Sequence, residues 1–200
     1  MTTYQLVEYA TRMDMRDQIL ATAQRLVQQR GFNGFSYADI ADDVGIRKAS
    51  LHHYFPTKAD LGRALIDSYT TELESALQRI TASKAPADEK LKSYAGIFRA
   101  SLTAERMCLC GMLATEAQTL DPAMLPGLHR FFSRNTEWLT GILADGNSKG
   151  VLDFKGPATA HARSILSLLQ GALLIARGTG DHKNFDQSVS LLIEGLTRQG

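Results

Sequence analysis

Residues 31–61 read GFNGFSYADIADDVGIRKASLHHYFPTKADL, and they narrow the fold more than any other stretch. Two short helical patterns are joined by Asp43-Val44-Gly45-Ile46. The first starts after Ser36, with Asp39 three residues on as a capping-box variant, and turns Ile40, Ala41 and Val44 inward. The second covers 48–55, buries Leu51 and Phe55, and must stop before Pro56. Thr57, with Asp60 three residues on, starts a further helix. Two helices joined by a tight turn at glycine make a helix-turn-helix, whose second helix fits the DNA major groove.

Helical spacing dominates elsewhere, and no alternating run predicts a strand. The expected fold class is all-α, with about nine helices. A helix from about Asp14 to Gly31 buries Ile19, Leu20, Ala23, Leu26 and Val27. The helix after Thr57 carries a long stripe of Leu61, Leu65, Ile66, Tyr69, Leu73 and Leu77. Further helices are expected over 88–103 and 110–120. Asp121-Pro122 starts another, which Pro126 should kink, and which gives way to a glycine-rich loop over 145–156. The last two helices are expected over 157–177 and 186–198. The domain reading is a helix-turn-helix head over 1–57, whose residues 1–13 form a flexible arm, and a helical body over 58–200.

Composition excludes several classes. Apolar content of 44% supports a packed core, and a net charge of +1 is not that of a basic nucleic-acid coat. DNA affinity must therefore be local: Arg47, Lys48 and Lys58 fall in a stretch with no acid between Asp43 and Asp60. The first residues lack a basic-then-apolar leader, and no apolar run reaches the roughly 20 residues that span a bilayer. The expectation is a soluble cytoplasmic protein with no membrane partner. Cys108 and Cys110, with one residue between them, neither staple distant segments nor make a zinc framework. No metal or cofactor is expected. There is no nucleophile–base arrangement and no phosphate-cradling loop, and His129, His161 and His182 are scattered, so no enzyme is expected.

The head resembles the DNA-binding domain of the TetR/AcrR family of transcriptional regulators. The matching residues are Ile19-Leu20-x-x-Ala23, Arg30-Gly31-Phe32, Gly34-Phe35-Ser36, Ile40-Ala41-x-x-Val44-Gly45-Ile46, Leu51-x-x-Tyr54-Phe55 and Lys58-x-x-Leu61. The resemblance implies that Arg47, Lys48, Ala49, Ser50 and His52 face bases, and that Ser36, Tyr37, His53, Tyr54 and Lys58 contact phosphates. Lys48 could then donate to guanine, and Ala49 pack on a thymine methyl. Two positions depart from the family. Arg47 stands where Ser or Thr is common at a helix N-cap, a loss worth about 1 kcal/mol. Ala49 stands where Gly is frequent. The operator preference should differ accordingly.

The body resembles the family's regulatory domain in helix number and order. Ala162, Ile165, Leu166, Leu169, Leu173, Ile175 and Ala176 make a broad apolar face on the eighth helix, and Phe185, Val189, Leu192, Ile193 and Leu196 a stripe on the ninth. These two helices are expected to form a homodimer, which reads a palindromic operator in double-stranded DNA. The family usually binds a small molecule in this region. The residues offered for one are Tyr69, Tyr94, Phe98, Met107, Met112, Phe131, Phe132, Trp138 and Gln170, with Glu116 as an acid that could orient it. Such side chains at helical spacing also serve as core. The run from Cys108 to Glu116 is similar to a segment of the NemR-like electrophile and oxidant sensors, so Cys108 is a candidate redox thiol. Reactivity requires exposure with a nearby cation or helix N-terminus.

The expected function is a repressor released from its operator by a small molecule or electrophile. The alternatives are a ligand-independent DNA-binding factor, an activator, and a helical scaffold that does not bind DNA.

Overall fold

Residues 14–197 are described by a computed structural model of the chain. Among them are nine α-helices, one 3-10 turn and no strand beyond a single bridge between Leu152 and Thr197. The arm expected over 1–13, and Arg198, lie outside the described residues. The head is built from α1 (Met15–Arg30), α2 (Tyr37–Val44) and α3 (Lys48–Tyr54). Six more helices and the turn lead to the end of the body: α4 (Lys58–Ala82), α5 (Ala87–Thr103), α6 (Leu109–Thr115), the 3-10 turn Pro122–Met124, α7 (Leu125–Ser148), α8 (Ala158–Thr179) and, last, α9 (His182–Leu196).

The ends of the helices follow local chemistry. Ser36 and Asp39 close a reciprocal capping box on α2, and Thr57 and Asp60 do the same on α4. Gly45 takes the left-handed conformation at φ +77, and its N–H donates to the Ala41 carbonyl at 2.9 Å. That turn sets the angle between α2 and α3. Helix α4 then runs unbroken from the head into the body, and one apolar cluster spans both. In the body α8 packs between α7 and α9, and α9 also packs on α5.

Four expectations need correction. Helix α6 ends at Thr115, not near residue 120. Beyond it the backbone tightens to three-residue spacing, with Glu116 N–H donating to Leu113 O at 3.1 Å and Thr119 N–H to Glu116 O at 2.8 Å. Pro126 lies in the first turn of α7, where its missing N–H has no partner to lose, so it does not interrupt the helix. Asp145 and Gly146 belong to α7 and not to a loop. Gly146 is there for space, because a side-chain carbon would fall 2.5 Å from that of Ala87. Finally α9 starts at His182, four residues earlier than expected, because the Asp181 carboxylate accepts from Lys183 N–H at 3.0 Å.

Candidate nucleic-acid interface and body cavity

Helix α3 is held from below. Leu51 is wholly buried and Phe55 is 3% exposed. Arg47, Lys48, Ala49, Ser50, His52 and His53 all face solvent, and Tyr54 is 39% exposed. Arg47 occupies the N-cap in extended conformation and makes no capping bond. Among the described residues neither Arg47 nor Lys48 has an ion pair, so both cations are available to an anionic partner. The nearest acid of the turn, Asp43, is taken by Arg25 at 2.8 Å and by the Thr22 hydroxyl at 3.0 Å.

The imidazole of His52 is partly committed. Its Nδ1 lies 3.2 Å from the Pro56 carbonyl, and its ring packs at 4.7 Å on Tyr37. A carbonyl only accepts, so Nδ1 carries the proton and Nε2 of the neutral ring is left as an outward acceptor. His53 meets only the edge of Tyr54, at 6.3 Å.

Two residues expected at phosphates are instead turned inward. Tyr37 is 6% exposed, and its hydroxyl reaches the carbonyls of Phe55 at 2.9 Å and Thr57 at 2.7 Å. Burial, with Asp60 nearby, pushes this hydroxyl up to about 12. Lys58 lies half-buried over the rings of Phe32 and Phe35, at 4.9 and 4.3 Å, and donates to the Phe35 carbonyl. Burial lowers its pKa, against the pull of Glu116 and Asp39. Both residues seat α2, α3 and α4 on one another. Ser36 remains at the surface, with its hydroxyl and N–H both donating to Asp39, at 2.6 and 2.7 Å. That carboxylate, held low by these bonds, fills the positive end of α2.

The C-terminal end of α1 is gripped by three parts of the body. Met107 N–H donates to Gln28 O at 3.1 Å, and the Gln28 amide donates to Met107 O at 2.9 Å. From α8, Arg177 donates to Gln28 O at 2.8 Å and to Gln29 O. Glu116 takes Phe32 N–H at 2.7 Å and Asn33 N–H at 3.3 Å, fitting beside Gly31, whose φ is +83. These bonds satisfy donors and acceptors that the end of a helix leaves open. Glu116 therefore anchors the head and does not line the body cavity. Gln28 and Arg177 carry no local signal of this contact, because they lie 149 residues apart and no spacing rule joins them.

The residues expected around a ligand are dispersed. Met107, Met112, Phe132 and Gln170 line a cavity of about 360 Å3 between α6 and α8. Tyr69 borders a different cleft toward α1 and α5, and Trp138 a third beside Thr81 and Arg134. Tyr94, Phe98 and Phe131 belong to the packed interior. The Tyr94 hydroxyl, pushed up by burial and then by Cys108, donates to Asn135 at 2.6 Å, and its ring meets Phe98 and Trp138. Phe131 stacks on Tyr69 at 5.6 Å. Ser167, Gly171 and Leu174, not offered by the sequence, also line the first cavity. Gln170 and Leu174, or Ser167 and Gly171, stand four apart on one helix face, a spacing that was visible in the sequence. Cys108 sits at the start of α6 as expected but is only 2% exposed, and Cys110 is wholly buried. Burial, then Cys108, pushes the Cys110 thiol up.

No helix among the described residues is long and apolar enough to cross a membrane, and no group of three metal-binding side chains occurs there. Residues 19–65 match the family model for bacterial regulatory proteins of the tetR family. The chain is 26% identical to the transcriptional repressor NemR of Escherichia coli strain K12 over 84% of its own length and 86% of that protein's. A TetR-family transcriptional regulator from Agrobacterium tumefaciens superposes with a TM-score of 0.89 at 33% identity, covering 92% of this chain and 98% of that one. A TetR regulator from Legionella pneumophila gives 0.83 at 31%, with the same coverage. Such likeness reaches well beyond the head and takes in the body helices that hold it, so the chain belongs to the TetR family of helix-turn-helix transcriptional regulators.

Proposed function

We propose that this regulator is a repressor that leaves its operator when a small molecule binds the body. The observation that carries the reading is the grip on α1: Met107, Glu116 and Arg177 tie the head directly to elements of the body. A change of packing in the body then reaches the head without a long relay. The effector lowers operator affinity by preferring the head placement that does not fit DNA. The relative NemR bears the name repressor, which favours repression over activation.

In this reading residues 1–57 serve DNA and 58–200 serve dimerisation and the effector. Arg47, Lys48, Ala49, Ser50 and His52 face bases, while His53, Tyr54 and the Ser36 end of α2 meet phosphates. The homodimer forms through α8 and α9, where Leu174, Ile175 and Leu191 are 54%, 53% and 70% exposed. Apolar side chains this open on neighbouring helices favour a covered face. An operator on the chromosome places the protein in the cytoplasm. Burial of Cys108 favours reversible binding over thiol modification as the signal.

A mobility-shift assay with the DNA upstream of the protein's own gene tests this. The dimer should bind there with an affinity that falls steeply with salt. Salt-insensitive binding, or none, contradicts the reading.

A further inference from the structure

The cavity between α6 and α8 has a definite chemistry. Met107, Met112, Phe132 and Leu174 give it apolar walls, and no charged side chain lines it. Its volume of about 360 Å3 suits a small aromatic molecule. An ion would enter without a counter-charge, so the occupant is neutral. Among its polar groups, the Thr115 hydroxyl is already spent on Met112 O at 2.7 Å. The Gln170 amide nitrogen is buried and has no partner. A buried donor left open is unfavourable until an acceptor arrives. Gly111 makes room for this amide, since a side-chain carbon there would fall 2.5 Å from Gln170 Oε1. At Gly171, by contrast, a side chain would meet nothing within 4 Å.

The two walls of this cavity both lead to the head. Met107 and Glu116, which flank α6, hold Gln28 and the Phe32–Asn33 backbone. Seven residues beyond Gln170 on α8, Arg177 holds the same end of α1. A molecule that alters the packing of α6 against α8 cannot leave both grips as they are.

Resting on the effector reading above, we propose that this cavity binds a neutral, largely apolar small molecule whose single hydrogen-bond acceptor meets the Gln170 amide. Occupancy fixes the packing of α6 against α8 and so alters the hold on α1. By linkage, operator DNA must weaken ligand binding by the same factor that the ligand weakens DNA binding.

Titration calorimetry on the full-length dimer without DNA tests the site, with acetophenone and ethylbenzene as probes that differ by a carbonyl oxygen. The wild type should prefer acetophenone, by up to about tenfold for one added hydrogen bond. Gln170→Leu should remove that preference while still binding ethylbenzene. Gly171→Leu, whose side chain projects into open space, should exclude both probes and keep the wild-type circular dichroism. The proposal is overturned if the wild type binds neither probe, if it shows no preference, or if the preference survives in Gln170→Leu. Repeating the operator mobility shift with acetophenone separates the two claims: binding with unchanged operator affinity removes the effector role and leaves the site standing.

Discussion

Three consecutive helices, α2, α3 and α4, start within 22 residues of one another, and they start differently. Helices α2 and α4 close their first turns with their own side chains, Ser36 with Asp39 and Thr57 with Asp60. Helix α3 begins at Arg47 with no capping bond. The capped helices are scaffold. The uncapped one carries the exposed cations that face DNA in the proposed reading, and it is kept in place by Leu51 and Phe55 beneath it. In that reading, stability and recognition fall to different ends and faces of neighbouring helices.

The contrast can be broken at its strongest point first. If α3 depends on its underside, Leu51→Ala should destabilise the protein by about 2–5 kcal/mol in chemical denaturation, as for a large buried side chain cut to a methyl. Lys48→Ala should leave denaturation unchanged, since Lys48 is exposed and unpaired, but cost about 1–3 kcal/mol of operator binding. Ser36→Ala and Thr57→Ala should each cost about 1 kcal/mol of stability.

The smallest effect is on pH. Tyr37 is raised from 10.0 to about 12 in the folded chain. Below pH 10 its contribution is fully present. Between about 10 and 12 the unfolded chain gives up the phenolic proton while the folded chain keeps it, so stability falls as pH rises. Tyr37→Phe should flatten that alkaline slope in denaturation curves taken at increasing pH.

The head was largely legible because its punctuation is local. Ser36 with Asp39, Gly45, Pro56 and Thr57 with Asp60 each act within a few residues. What was misread there depends on packing across the chain. Tyr37 reads like a surface residue at the start of a helix until Phe55 and Thr57 supply carbonyls for its hydroxyl. Lys58 reads as a free cation until Phe32 and Phe35 form its seat. The body was less legible for the same reason. Its aromatic side chains have helical spacing whether they fill the core, as Tyr94 does, or line a cavity, as Phe132 does. Gly146 looked like a loop because close packing against Ala87 leaves no local mark. Glu116 looked like a ligand's partner because nothing near it in sequence points to Phe32.

If the start of α3 gives up its cap to recognition, Arg47→Ser should reverse the exchange. A serine restores a cap oxygen. Stability should rise by up to about 1 kcal/mol in denaturation. Measured on the same protein, operator affinity should fall. An Arg47→Ser protein that is less stable, or that binds the operator as tightly as the wild type, would contradict that exchange.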